Sequence, residues 1–445
     1  MGQTMKFALI RLLAVAALIF VILPAHVSAD GFGGMLGKRP SMGSGLSGFT
    51  GPSPTVNYIF TRGSLPGNLT YAGADNGTFF DSSGVLQASG SDAPRFDHDK
   101  DGNPLGILIE EARTNSALQS EDFGTTWAPT RASVTTDDQA APDGNGTADK
   151  VILVSNDSHY VEQTVTVTAA PWTFSVFARA AELDWIHIIL QAGANAGAFF
   201  DLTNGVVGTV QGGVNTAGID DIGGGWYRVW IERTPTSGGQ VARIFLAEAD
   251  NDAIITFAAD TGIHLWGAQV ELGSTPTSYI PTTTGTVTRT ADSLTATDVS
   301  WFRAAVGTFF WEGSFPYVDT VSRAILTLDD GDITDRFLFT RASSETITFS
   351  TTHSSDTDGA SDGLAVISVN TTVSVTGAFA DDDVNSIVDG ASSGQDTSAA
   401  LPLADSMTTL RIGKDSDGNE CNCHIERFTY WPRRMIDNFG ISITN

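Results

Sequence analysis

Gly223-Gly224-Gly225-Trp226-Tyr227-Arg228-Val229-Trp230-Ile231-Glu232-Arg233 reads as a turn running into a strand. The glycines give the backbone the freedom a tight turn needs. After them the pattern has a period of two. Tyr227, Val229 and Ile231 share one face, opposite Trp226, Arg228, Trp230 and Glu232. Similar runs recur on both sides: 150–154, 160–168, 172–179, 185–191, 241–248 and 263–271, then 306–315, 323–328, 336–341, 345–351, 364–369, 384–388, 407–412 and 424–431. Asn204-Gly205, Gly212-Gly213, Asp329-Asp330-Gly331-Asp332 and Asp389-Gly390 punctuate them as turns. No segment carries an amphipathic helix of three turns. The reading is an all-β chain of tandem β-sandwiches, with jelly-roll spacing in the middle.

Composition agrees. Of 445 residues, 41% are hydrophobic and only 17% charged, which supplies a large core and excludes global disorder. The 24 Lys and Arg against 51 Asp and Glu leave a formal net charge of −27. Such a surface repels phosphate backbones, so nucleic acid is not the expected partner.

The chain divides into segments. Lys6 and Arg11 lead into an apolar run, Leu12 to Leu23. Pro24 breaks it, and Val27-Ser28-Ala29 offers a cleavage pattern before Asp30. Residues 1–29 read as a secretory signal peptide, with an uncleaved anchor as the competing reading. After cleavage no stable membrane span is expected. Residues 30–55 are a Gly/Ser/Pro-rich tether. Residues 56–115 form a short β-rich segment expected to pack on the following domain, 116–285 a jelly roll, and 286–445 a second sandwich. The two cysteines, Cys421 and Cys423, exclude a disulfide framework. In a strand they point the same way, so inert thiols are expected over a bridge, a redox pair or a metal site with His424.

Several strings resemble phage tail-fibre and head-spike-fibre proteins that carry a carbohydrate-binding-module-like jelly roll. They include Pro94-Arg95-Phe96-Asp97-His98 through Gly106-Ile107-Leu108-Ile109-Glu110-Glu111-Ala112-Arg113-Thr114-Asn115. Gln119-Ser120-Glu121-Asp122-Phe123 with Trp127, Gly224-Gly225-Trp226-Tyr227-Arg228 and Leu265-Trp266-Gly267-Ala268-Gln269-Val270-Glu271 belong to the same pattern. So does Pro276-Thr277-Ser278-Tyr279-Ile280-Pro281-Thr282. The last block, through Gly307-Thr308-Phe309, Leu410-Arg411-Ile412-Gly413 and His424 to Arg434, is similar to concanavalin A-like lectin/glucanase (laminin-G-like) sandwiches. The resemblance implies a glycan or cell-surface polysaccharide as partner and a homotrimer as assembly. It implies a virion address too, whereas the signal peptide points to a secreted or cell-surface protein.

The chemistry the residues offer is binding. Opposite the aliphatic faces of 185–191, 226–233 and 241–248 lie Trp185, His187, Gln191, Arg228, Trp230, Arg243 and Phe245. Aromatic plates cover the C–H face of a sugar and planar polar groups bond its hydroxyls, so these seven are the candidate glycan surface if the strands are neighbours. Packing against a loop or another protomer is the alternative. Asp97, Asp99 and Asp101 with Gly102 have the opening spacing of a calcium loop, but its twelfth position is Leu108, not Glu. An acidic turn is expected, with structural calcium as the other option. No catalytic set is legible: the Glu-x-Asp-x-x-Glu of glucanases is missing from 286–445. The Gly-x-Ser-x-Gly strings at 359–363 and 390–394 lack a following helix. The expectation is glycan recognition without cleavage. A structural fibre or spike subunit, or a depolymerase with an unread site, are the alternatives.

Overall fold

Four large antiparallel sheets account for the architecture, paired as two β-sandwiches. The computed structural model describes residues 53–191, 196–256, 258–361, 367–402 and 406–445. The signal-peptide run and most of the tether lie outside them. So does half of the 364–369 run, whose described part is not strand.

In the middle sandwich one sheet has six strands. Their order is Thr216–Gly223, Trp226–Arg233, Trp172–Ala180, Gly262–Leu272, Ala148–Leu153 and Ala132–Gln139. The facing sheet has seven, centred on Trp185–Leu190, Gly238–Ala247 and Asp157–Val167. Alternation decides what each strand buries. Phe174, Val176, Val229, Ile231, Leu265 and Val270 point inward from the first sheet, to meet Val161, Ile186, Ile188 and Ile244 from the second. Across from Trp172–Ala180, the ladder skips one residue at Gly267, which sits at φ +62°. That bulge resets the parity, so Leu265 and Val270 both face in while Trp266 and Gln269 face out. The outward Phe177, Trp226 and Trp266 form a second, smaller core with Tyr279 and Leu86.

The third block is built the same way, and here the first block departs from expectation. Leu86 and Phe80 of its hairpin do pack on the jelly roll. Its other strands, Arg113–Asn115 excepted, belong to the last sandwich. Val56–Ile59 and Pro104–Ile109 both pair with Cys423–Trp431, and Thr70–Ala72 pairs with Ser293–Ala296 in the facing sheet. Val56, Tyr58, Phe60, Tyr71, Ile107 and Ile109 enter one core with Phe309, Trp311, Phe337, Phe349, Phe379 and Phe428. The jelly roll is therefore an insertion in the last sandwich, entered and left where Arg113–Asn115 pairs with Val287–Arg289. The sequence hides this, because a strand motif names no partner.

Cys421 and Cys423 are joined in a disulfide, which corrects the expectation of thiols. Only Cys423 lies in the strand; Asn422, at φ +49°, turns the chain and brings the two Cα atoms to 5.2 Å. Asn422 is held there by Glu111, whose amide donates to Asn422 Oδ1 at 2.9 Å. The Gly390 string sits in a hairpin between Asp383–Val388 and Ala391–Asp396, so a strand and not a helix follows its serine.

Candidate functional site

The seven expected glycan residues do not share a surface. Trp185, His187, Gln191, Arg243 and Phe245 lie on the outer face of the seven-stranded sheet and its continuation. Arg228 and Trp230 lie on the outer face of the six-stranded sheet, across the sandwich. The strand 226–233 pairs with 172–180 and not with its look-alikes, and that separates the set.

On the first face the register lines up Phe199, His187, Phe245 and Tyr160 across four strands. His187 is stacked on Phe199 at 4.0 Å and on Phe245 at 5.3 Å. The Arg243 guanidinium lies 4.3 Å over Tyr160 and 5.4 Å from Phe245, and is paired with Glu162. The aromatic faces a sugar would use are thus occupied by the protein's own side chains. Gln191 accepts from Arg233 Nη1 at 3.1 Å. Trp185 packs beside Gly208 and Asp250.

Burial pushes the His187 imidazole down to about 4. The unfolded chain then binds an extra proton between its ordinary value, 6.5, and about 4. Stability is lost as pH falls through that window. The shift corresponds to a loss on the order of 3 kcal/mol between pH 7 and pH 4. In His187→Phe this contribution is absent, so the stability of wild type relative to the variant falls as pH is lowered. Urea denaturation of both at pH 7.5 and 4.5 measures it; a constant difference would contradict the burial argument.

The calcium triad does not converge. Asp97 is buried, and its Oδ1 accepts from the amides of Phe80 (2.7 Å) and His98 (2.9 Å), while Oδ2 meets His424 Nε2 at 2.8 Å. Asp99 accepts from the amides of Asp101 and Asn103. Asp101 is exposed beside Lys100. Among the described residues no group of three or more His, Cys, Asp and Glu is placed to hold a metal. The string is a self-satisfied acidic turn. Asp415-Ser416-Asp417-Gly418-Asn419 repeats it, with Asp415 accepting from the amides of Asp417 and Asn419.

The six-stranded sheet presents the better site. One end of its outer face is covered by the 275–282 linker. There Arg228 donates to Thr277 O (2.7 Å) and Ser175 Oγ (3.0 Å), which removes it from solvent. The other end opens as a cleft of about 590 Å³ between the sandwiches. Trp230, only 8% exposed, forms part of its wall. The indole lies over Gly218 on the next strand, where any Cβ would sit 2.4 Å from the ring. Its Nε1 donates to Asp220 Oδ2 (3.2 Å), and Tyr317, reaching in from the last sandwich, donates to the same oxygen at 2.7 Å. The two rings meet edge to face at 5.6 Å. Asn215, Thr216, Glu232, Thr275, Asp319 and Thr320 are among the other residues that line it. Burial pushes the carboxyls of Asp220 and Glu232 up, against hydrogen bonds from Tyr317 to the first and Asn215 to the second. Asp220 continues into a smaller apolar cavity of about 180 Å³, lined by Phe80, Leu108, Tyr279 and Tyr317.

The two acids are not a hydrolytic pair. Glu232 is opposite Thr216 and Asp220 opposite Arg228, four positions along the strands. That is roughly 13 Å at ~3.3 Å per residue, beyond the separations of glycosidase carboxylates. Of the cleft, only Trp230 stood among the expected residues. Tyr317 was missed because it reaches in from another block, and Asp220 and Asn215 because they sit in or beside a polar edge strand with little apolar signal.

No protein-family model and no curated protein sequence matches the chain. Solved structures give distant likenesses. The carbohydrate-binding module, CBM40, of the Ruminococcus gnavus IT-sialidase, bound to α2,3-sialyllactose, aligns at 13% identity over 32% of this chain and 84% of its own, with a TM-score of 0.28. The mouse laminin α1 chain domains LG4-5 align at 12% identity over 63% and 87%, TM-score 0.21. A tail fibre protein from an E. coli phage aligns at 8% identity over 73% and 40%, TM-score 0.19. Among the described residues no helix is long and apolar enough to cross a membrane.

Proposed function

We propose that the protein recognises glycans without cleaving them, and that it does so in the cleft between the sandwiches. One observation carries the reading. An open, concave site combines an indole wall, fixed by Gly218, Asp220 and Tyr317, with amide, hydroxyl and carboxylate groups at its edge. Sugar rings are held by that mixture of an apolar plate and planar polar partners. A fibre-like or exported protein acting at cell-surface glycans suits such a shallow site, because weak contacts gain strength from repetition in an oligomer.

A glycan array with the full chain tests this. Trp230→Ala is expected to weaken the best hit about tenfold, the loss of roughly 1.4 kcal/mol of stacking and burial. Phe245→Ala, on the opposite face, is expected to leave it unchanged. Binding to no glycan, or binding indifferent to Trp230 in a folded variant, would reject the assignment. An assembly role is the second reading. It is favoured by the edge strand Val206–Val210, where Val206 and Val210 are both about half exposed. Light scattering that finds a trimer dissociated by charged substitutions there would support it.

A further inference from the structure

We infer that the cleft selects amino sugars carrying a free ammonium group and turns away uronic and sialic acids; this rests on the glycan reading of the same cleft. The charges along its lining are all of one sign: Asp220, Glu232 and Asp319, with no Lys or Arg among the described residues that line it. Two of the three acids are already served. Asp319 is held by Arg323, whose Nε lies 3.1 Å from Oδ2, and by Arg341. Asp220 takes its two donors from Trp230 and Tyr317. Arg228, behind the wall, is spent on Ser175 and Thr277.

Glu232 is different. It is only 4% exposed, yet it lines the cleft, and one exposed residue serves it: Asn215 Nδ2 donates to Oε1 at 3.0 Å. Among the described residues no donor reaches Oε2 and no cation lies beside it. A carboxylate this thinly hydrated, served by one neutral partner, is costly. Burial accordingly pushes its pKa above the ordinary value. An ammonium group brought by a ligand supplies the missing partner and recovers part of that cost. A sugar carboxylate brought to the same place meets Glu232, with no Lys or Arg in the described lining between them. The amide of an N-acetyl sugar offers a weaker donor and no charge.

Calorimetry on the full chain at pH 6 and 0.15 M salt tests this with three oligosaccharides of equal length. They are a β1,4-glucosamine tetramer, its N-acetylated counterpart and a uronate-containing tetramer. The glucosamine tetramer is expected to bind at least about tenfold more tightly than the N-acetylated one, and the uronate not to bind measurably. Glu232→Gln is expected to erase the preference, bringing the affinity for the glucosamine tetramer down to that for its N-acetylated counterpart. Asp381→Asn, which removes one exposed charge elsewhere, is expected to keep the preference. This controls for general attraction to an acidic surface. A uronate preference, equal affinities in wild type, or a preference that survives Glu232→Gln overturns the inference and leaves the cleft a glycan site. Failure of all three sugars to bind overturns the glycan reading itself.

Discussion

Residues 286–445 produced alone are expected to stay unfolded, although as a sequence they look like a whole sandwich. The strand Cys423–Trp431 would lose both partners on one side, Val56–Ile59 and Pro104–Ile109. The core would lose Val56, Tyr58, Phe60, Tyr71, Ile107 and Ile109. Burying large apolar side chains contributes about 1.5–3 kcal/mol each, so six of them represent on the order of 10 kcal/mol as an upper estimate. A whole domain is stable by about 5–15 kcal/mol. The remaining strands would also expose an apolar edge, which favours aggregation. Circular dichroism and urea titration of 286–445 beside 53–445 measure the effect. A cooperative unfolding transition in the shorter chain would show that the first block is an accessory and not part of the fold.

Arg95→Ala is expected to cost about 3–5 kcal/mol, the usual penalty for removing one partner of a buried ion pair. Arg95 is 1% exposed and sits between Glu110 (Nη1 to Oε2, 2.6 Å) and Asp292. Arg289 also approaches Glu110 Oε2, at 3.4 Å, and Tyr71 donates to Asp292 at 2.7 Å. Ser278 donates its amide (2.8 Å) and its hydroxyl (2.6 Å) to Glu110. Burial pushes the Glu110 carboxyl up, but Arg289, Arg95 and Ser278 together hold it well below the usual carboxylate range. This contribution is therefore complete above the ordinary pKa of 4.5 and is lost as pH falls below it. Without Arg95, two carboxylates with almost no solvent share one guanidinium. The paired replacement Arg95→Leu with Glu110→Leu is expected to cost less than the sum of the two single changes, since it leaves fewer orphaned charges. A single-variant loss below about 1 kcal/mol in urea would show that the network is slack.

That network also explains what was legible and what was not. The strings that drew the family resemblance contain Arg95, Glu110, Asn115, Gln269, Glu271 and Ser278. They are fasteners. Asn115, fully buried, donates to Ala268 O and Ile280 O and accepts from the amides of Ala117 and Val270. Gln269 and Glu271 fix the linker through Ile280 and Thr277. Such residues mark the joint between blocks, so packing alone suffices to make them distinctive. Strands with a buried apolar face, such as Trp226–Arg233 and Arg336–Arg341, follow from alternation alone. Strands such as Thr216–Gly223 and Ala391–Asp396 did not, being polar, Gly-containing sheet edges with little apolar signal. The first of these supplies Asp220 and Gly218, so half of the cleft was hidden with it.

The insertion also sets a clock. Val56 pairs with Tyr430, some 370 residues later in the chain. At about 5–20 residues per second, synthesis keeps the first strands waiting roughly 20–70 s for their partner. The jelly roll is under no such constraint, because its large sheets are closed within one continuous stretch. It is expected to mature while the last sandwich is still a set of unmatched edges. A chain that stalls before Cys423 would then display a finished domain flanked by adhesive strands. The protein's exposure to misassembly is greatest just before its last strand is made.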